Sequence, residues 1–213
     1  MEINNPLEIS PNLVYRNNPS GIIILDAHSS VMSIQTMDML HKSLGLWMYG
    51  YHYFIDKNGD VYGGRPERAL ACNADVLLQS QLTNMTHLNI SPFDLKNNAD
   101  KFESTAPTSV VSAGKIFICL EGITSQSSPP SIQIESLINL CKDINSRYMN
   151  MRTIYSLSEL LPQYNNLGIF VDMNAIRAVT ITNIETKIIS CSPIVIRIKE
   201  FPRTRTGTII LTY

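Results

Sequence analysis

The C-terminal half of the sequence contains no histidine, because the last of the 4 His in this 213-residue chain is His87. Charged residues are also scarce, at 16% of the chain, and 17 Lys and Arg against 18 Asp and Glu give a formal net charge of -1. A balance this close to neutrality provides no overall electrostatic attraction to nucleic acid or to an anionic membrane. We therefore expect neither as a partner.

Several short motifs of enzymes and metal sites are missing. The 4 Cys form no C-x-x-C pair, and the chain has no P-loop, no G-x-G-x-x-G and no G-x-S-x-G sequence. Nucleotide binding and serine-hydrolase chemistry are therefore unsupported. The cysteines, Cys72, Cys119, Cys141 and Cys191, are widely spaced, and the apolar surroundings of Cys119 and Cys141 predict small buried thiols in a reducing compartment.

Long apolar runs are missing as well. Runs such as Ile22 to Leu25 are far too short to cross a bilayer. The N-terminal residues are acidic and rich in Asn and Pro, without the basic and apolar segments of a secretory signal. We expect a protein that is made in the cytoplasm and has no membrane attachment. If it reaches a cell wall, another component must deliver it there.

What the sequence does contain fits one globular domain with a sizeable core. Hydrophobic residues make up 44% of the chain, and their spacing predicts both strands and helices. A helix is expected from Ser33 to Leu46, with Ser33 as N-cap and Gly45 as a stop, and another from Ile132 to Tyr148. Buried strands are expected at Ile22 to Leu25, at Lys115 to Leu120 and from Thr153 to Tyr155.

Residues 48–74 carry the clearest local signal. The alternating Tyr51, Tyr53 and Ile55, the turn from Lys57 to Asp60 and a second strand starting at Val61 predict a β-hairpin. The hairpin is central to the fold and to the expected site.

Three pieces of this stretch resemble a known family: Gly50-Tyr51-His52, the Asn58-Gly59 turn and Gly64-Arg65-Pro66. The family is that of the zinc amidases that cut N-acetylmuramoyl-L-alanine bonds, which includes phage lysozymes of this type and the peptidoglycan recognition proteins. The resemblance covers about residues 21–176 and implies an α/β fold with a mixed central β-sheet flanked by helices.

The rest of the chain is divided around that resemblance. Residues 1–20 are expected to be an irregular lead-in, and residues 21–178 an amidase-like domain with a polar insertion at about 75–114. Residues 179–213 are strongly β-branched, which predicts three strands in a C-terminal extension.

Active members of the family hold zinc through two histidines and one cysteine or aspartate, so each position can be compared. The first ligand position, at the end of the first strand, corresponds to Asp26 or, with a two-residue slip, to His28. The second lies in a motif of apolar-x-small-His-x-acidic form. Here that motif reads Ile154 to Glu159 and carries Leu157, which has no lone pair to donate.

The third ligand position carries Asn165 or Asn166, and a neutral amide is a poor zinc ligand. The position of the family's assisting lysine carries Gln163. The resemblance therefore implies a dismantled zinc site, no cofactor and no amidase activity.

The remaining groove residues have two interpretations. By resemblance, Tyr51, His52, Arg65 and Asn73 line the family's groove. Tyr51 and His52 could contact a ligand or could be hydrogen-bonded strand residues, whereas Arg65 is expected to form an ion pair or to clamp a loop. A carboxylate pair of Glu121 and Glu159 is a weak alternative site, because both residues are more simply explained as solvated or salt-bridged.

We expect a catalytically inactive protein that serves as a structural component of a larger complex, with a phage tail or baseplate of the virion as the setting. Its partners would be other protein subunits, bound through the 75–114 insertion and the 179–213 extension. The alternatives are a non-catalytic module that binds peptidoglycan and a zinc amidase with an unusual metal site.

Overall fold

The computed structural model describes residues 2–15, 17–27, 32–43, 45–72, 114–122, 128–160 and 171–180. Its elements, in chain order, are β1 (Gly21–Asp26), α1 (Ile34–Ser43), β2 (Tyr53–Ile55), β3 (Val61–Gly63), β4 (Lys115–Leu120), α2 (Ser131–Arg147), β5 (Thr153–Ser156) and α3 (Leu157–Leu160). Residues 173–180 are also helical. The predicted insertion, apart from Gly114, and the extension beyond residue 180 lie outside the described residues.

The strands form one mixed sheet in the order β3-β2-β4-β1-β5. The pairs β2/β4, β4/β1 and β1/β5 are parallel, and only β2/β3 is antiparallel. All six residues of the inner strand β1 are buried, as are all but the first of the central strand β4. This burial explains why both strands are apolar runs without alternation, and it confirms the predicted mixed sheet.

Helix α1 begins as predicted but ends earlier. The Ser33 hydroxyl accepts a hydrogen bond from the Thr36 N–H at 3.2 Å, which is the expected N-cap contact. Gly45 has φ 95°, and the Leu46 and Gly45 N–H groups donate to the carbonyls of His41 and Lys42. This pair of bonds is a Schellman motif, which confirms Gly45 as the predicted stop. The regular helix ends at Ser43, three residues before the Leu46 that closed the predicted helical pattern.

The hairpin is confirmed, and its turn packs against α2. Gly59 has φ 85°, and a Cβ built on it would lie 2.8 Å from the Ser136 hydroxyl and 3.0 Å from Ile132 Cγ1. The turn itself is held by Asp56, whose Oδ1 accepts from the N–H groups of Asn58 and Asp60 at 3.0 and 2.8 Å. Only glycine combines the left-handed backbone with this close approach to the helix.

Both outer strands of the sheet have a neighbour in the same chain. Asn4 pairs with the outer edge of β3, donating to the Val61 carbonyl and accepting from the Gly63 N–H. At the other side, Arg177 Nε donates to the Ile154 carbonyl of β5 at 2.9 Å. The predicted lead-in therefore pairs with the sheet at one residue, and residues 179 and 180, predicted to begin the β-rich extension, belong to a helix.

Candidate functional site

The parallel strands bring three chain segments to one edge of the sheet. Asp26 ends β1 and is in register with Leu120, the last residue of β4, while Ile24 is in register with Ser156, the last residue of β5. Because the carboxyl ends of parallel strands meet, the first and second predicted ligand positions lie at this same edge, which we call the carboxyl edge.

Asp26 and Leu157 are the predicted ligand positions at the carboxyl edge that the structure describes. Asp26 is buried, and Leu157, the first residue of α3, is only 3% exposed and belongs to the main hydrophobic core. The other predicted site residues, His28, Asn73, Gln163 and Asn165, lie outside the described residues. Among the residues that are described, no three His, Cys, Asp or Glu side chains form a group that could hold a metal ion.

The turn from β5 into α3 is fixed by a capping box. The Glu159 carboxylate accepts from the Ser156 N–H at 2.8 Å, and the Ser156 hydroxyl accepts from the Glu159 N–H at 3.3 Å. Arg177 also donates to Glu159, at 2.6 Å. Burial raises the pKa of Glu159, but the hydrogen bonds from Arg177 and Ser156 outweigh it and leave the pKa below its ordinary value. The S-x-x-E signal is visible in the sequence, although sequence reasoning used it only as part of the ligand motif.

Glu121, the residue directly after β4, connects two segments at the same edge. Its carboxylate accepts from the Met32 N–H at 3.2 Å and from the Lys57 N–H at 3.0 Å. It therefore ties the segment that leads into α1 to the hairpin turn. Glu121 and Glu159 are each committed to separate contacts, which supports the expectation that they are structural rather than an acid–base pair.

Tyr51 lies just before β2 and is fully buried. Its ring stacks on Phe117 with centroids 6.0 Å apart and meets the edges of Tyr49 and His41 at 5.3 and 5.5 Å. Such edge-to-face contacts add to the stabilisation from burial. The aromatic cluster places Tyr51 in the main hydrophobic core, which favours the structural interpretation of this residue.

Both nitrogens of His52 are occupied by the backbone. Nδ1 accepts from the Phe117 N–H at 2.9 Å, so Nε2 carries the proton and donates to the Ala69 carbonyl at 3.0 Å. The pKa of His52 is lowered to about 4, mainly by burial and also by the nearby Arg65 charge, while the hydrogen bond to Ala69 and the Glu67 charge oppose the shift. Of the two interpretations of His52, these contacts favour the structural one.

Arg65 is a loop clamp, one of the two roles expected for it. The side chain is 3% exposed and donates to the carbonyls of Tyr49, Leu70 and Met48 at 2.8, 3.0 and 3.3 Å. Contact between Arg65 and a ligand would require the guanidinium to leave these three bonds.

Two residues of α1 complete this clamp, and sequence reasoning missed both. Asp38 accepts from the Tyr49 N–H at 2.6 Å, and His41 Nδ1 accepts from the Gly50 N–H at 2.9 Å. Burial, with a contribution from the Arg65 charge, lowers the pKa of His41 to about 4, although Asp38 opposes the shift. A polar residue at helical spacing among apolar ones was the only available signal.

A second polar cluster joins the segment after the hairpin to the end of α2. Glu67 accepts from the hydroxyls of Tyr53 and Tyr148 at 2.8 and 2.7 Å and from Arg147 at 2.8 Å. Burial raises the pKa of Glu67, but the hydrogen bonds from Arg147 and the two tyrosines lower it by a larger amount, so the net shift is downward. These residues are far apart in sequence, so no local pattern could have found the cluster.

The cysteines within the described residues behave as expected. Cys72, Cys119 and Cys141 are buried and unbridged, and burial raises the pKa of the Cys141 thiol to about 12. No described helix is long and apolar enough to cross a membrane.

Comparisons with known proteins agree with this architecture. The sequence model of the family described as N-acetylmuramoyl-L-alanine amidase matches residues 16–160. The chain is similar to N-acetylmuramoyl-L-alanine amidase LysC from Clostridium intestinale, with 22% identity, a TM-score of 0.62, and coverage of 84% of this chain and 96% of that one. No curated protein sequence matches the chain.

Two further solved structures share the fold. The Ph2119 endolysin from a Thermus scotoductus bacteriophage has 14% identity and a TM-score of 0.55, with coverage of 84% of this chain and 99% of that one. Drosophila peptidoglycan recognition protein SA has 15% identity and a TM-score of 0.54, with coverage of 80% and 84%. At these identities the solved structures establish the fold alone.

Proposed function

This chain belongs to the N-acetylmuramoyl-L-alanine amidase family, and we propose that it is a member without zinc-dependent activity that contributes the amidase fold to a larger assembly. The family and the fold place it among proteins related to peptidoglycan. The proposal concerns what this member does with the shared fold, because function depends on the site rather than on the scaffold.

The observation that carries the proposal is Leu157. It lies directly after β5, at the carboxyl edge shared with Asp26, where the family's motif has its second histidine. Its side chain is buried in the hydrophobic core, and the α3 turn that holds it is closed by Ser156 and Glu159. A catalytic zinc needs three protein ligands, so the described residues at this edge do not fit the metal.

The zinc content of the protein tests this directly. Protein purified without chelators or metal-affinity resin should contain far less than one zinc per chain, and adding a chelator should leave its melting temperature unchanged, since only a bound metal would stabilise the fold. Elemental analysis and thermal unfolding measure the two quantities.

A matched variant strengthens this experiment. Leu157→His restores the family's residue but not the third ligand position, so we expect it to remain unable to retain zinc through dialysis. About one zinc per chain in the unmodified protein would contradict the proposal, and His28 and His52 should then be replaced next.

The assembly role draws on two parts of the chain. The family match ends at residue 160, so the β-branched residues after 180 lie beyond it, whereas the polar insertion at 75–114 lies within it. Both offer sequence through which a neighbouring subunit could be bound. We propose a phage tail or baseplate as the assembly.

Ending the chain after Thr180 should abolish its incorporation while leaving the domain folded. Thr180 has to stay, because it is buried and its carbonyl accepts from Asn145 Nδ2 at 3.3 Å. Circular dichroism of the purified variant checks the fold, and its copy number in purified particles checks incorporation. A folded variant that is incorporated as well as the full chain would contradict the assembly role.

A non-catalytic peptidoglycan-binding module is the second candidate, favoured by the fold shared with peptidoglycan recognition protein SA. Co-sedimentation with purified peptidoglycan tests it. Arg65→Ala, the variant that the resemblance suggests, is a poor probe because Arg65 holds the backbone of Met48 and Tyr49. Loss of binding in that variant would report loss of structure.

A further inference from the structure

Three cationic residues surround one loop at the opposite, amino edge of the sheet. Lys115 begins β4, and Arg152 directly precedes β5. Arg68 lies in the segment after the hairpin and is exposed, as is Arg152, while Lys115 is half-buried. We call these three residues the amino-edge cluster.

The backbones of all three residues are hydrogen-bonded to residues 17–20. The Asn17 N–H donates to the Arg68 carbonyl at 2.9 Å, and Asn17 Nδ2 donates to the Lys115 carbonyl at 3.0 Å. The Arg152 N–H donates to the Ser20 carbonyl at 3.0 Å. Asn17 is itself only 6% exposed. The cluster is therefore held on one rigid support although its members are far apart in sequence.

The cluster also differs from the other described arginines in its partners. Arg65 donates to backbone carbonyls, Arg147 is paired with Glu67 and Asp143, and Arg177 is paired with Glu159. By contrast, the side chains of Arg68, Lys115 and Arg152 make no ion pair and no hydrogen bond within the described part of the chain.

Two acidic groups on adjoining segments are already paired with another arginine. Glu67, the neighbour of Arg68, accepts from Arg147 and two tyrosines, and Asp143 is held by Arg147 at 3.0 Å. Within the described residues, three positive charges without an ion-pair partner therefore share this edge, in a chain whose formal net charge is -1. This separation of charge makes the edge a local attractor for anions.

We propose that the amino-edge cluster binds the phosphodiester groups of an anionic cell-wall polymer. The two guanidinium groups match phosphate oxygens bidentately, and the lysine adds a point charge. Three cations on one support suit a polymer with repeated phosphates better than a single ion. The cell-wall source of that polymer rests on the proposed function, whereas the recognition of phosphodiesters rests on the cluster alone.

The position of the cluster would allow two ligands to be bound at once. It lies at the opposite end of the parallel strands from the carboxyl edge, where the family's groove is expected. A wall polymer at one end and a wall peptide or a protein neighbour at the other could therefore be bound at the same time, and linked weak contacts of this kind raise the overall affinity.

The test uses poly(glycerol phosphate) as the probe and the full chain. A triple variant, Arg68→Gln, Lys115→Gln and Arg152→Gln, should bind at least about tenfold more weakly, and the slope of log K against log salt should fall by roughly 0.7 to 0.9 for each cation removed. The matched control is Lys42→Gln, Lys57→Gln and Lys142→Gln, which makes the same change in net charge elsewhere and should bind like the unmodified protein.

Cell walls with and without hydrofluoric acid treatment, which removes phosphodiester polymers, separate this inference from the proposed function. We expect stronger sedimentation with untreated walls, and the triple variant should lose that difference. Equal binding by the triple variant and the unmodified protein, or a preference for single-stranded DNA of equal charge over the polymer, would overturn the inference. If the protein binds the polymer but not the treated peptidoglycan, the inference stands and the peptidoglycan-binding candidate is excluded.

Discussion

Replacing Arg65 by alanine should lower the free energy of unfolding by about 3 to 5 kcal/mol, because three buried carbonyls would lose a charged donor. The guanidinium holds Tyr49, Leu70 and Met48 from a position that is 3% exposed. Unpaired buried carbonyls are costly, and the truncation also leaves a cavity. Typical domains are stable by only about 5 to 15 kcal/mol, so much of the stability would be lost.

Urea unfolding followed by circular dichroism measures this change, and the chain offers a matched control three residues away. Arg68 is exposed, so Arg68→Ala should change the free energy of unfolding by less than about 0.5 kcal/mol. Arg65→Lys should be intermediate, because an ammonium cannot span the three carbonyls in one plane. Equal stability of Arg65→Ala and Arg68→Ala would show that Arg65 is not the clamp.

Lowering the pH from 7 to 5 should destabilise the protein, before the pH reaches the range in which carboxylates titrate. Burial lowers the pKa of His41 and of His52 to about 4, from 6.5. Between these values the unfolded chain binds a proton at each position and the folded chain does not, so stability falls as the pH falls. Each histidine should remove about 2 kcal/mol between pH 7 and pH 5, or roughly 4 kcal/mol together.

The groups around the two histidines limit how this result can be explained. Arg65 lowers both pKa values, while Asp38 and Glu67 oppose the shifts at His41 and His52 respectively. The pKa of Glu67 is itself lowered from 4.5, so its contribution is lost only at still lower pH. Above about pH 5 the expected change therefore belongs to the histidines.

The free energy of unfolding at several pH values between 7 and 5 provides the measurement. His41→Asn places an amide oxygen near the position of Nδ1 and can still accept from Gly50, but it does not titrate. This variant should show about half of the pH dependence of the unmodified protein. A free energy of unfolding that is constant from pH 7 to pH 5 would mean that the histidines are not buried in their neutral form.

The sequence predicted the parts of the fold that depend on local spacing. Strands β1 and β4 were recognisable as apolar runs because both of their faces are buried, and the hairpin because Asn58-Gly59 supplies the turn. Gly45 was recognisable as the stop of α1, although the apolar pattern continues to Leu46 after Gly45 has already turned the chain. The resemblance implied a mixed central sheet but no strand order was predicted, since parallel neighbours such as β1 and β5 are distant in sequence.

The candidate site was predicted less completely. Leu157 was identifiable because a single motif, read against the resemblance, shows an apolar side chain where a ligand is needed. The roles of Asp38, His41 and Glu67 were not, because each depends on a partner that only folding brings near. The structural role of His52 could not be selected from the sequence, since a sequence cannot show that backbone groups are hydrogen-bonded to both ring nitrogens.

The contacts of Asn4 with β3 and of Arg177 with β5 affect how copies of this domain behave when they are crowded. Unpaired strand edges allow neighbouring molecules to polymerise edge to edge. Here a main-chain segment and a guanidinium occupy hydrogen-bonding positions on the two outer strands. Each contact occupies hydrogen-bonding groups that a neighbouring copy would need, so edge-to-edge pairing of crowded copies is disfavoured at these residues.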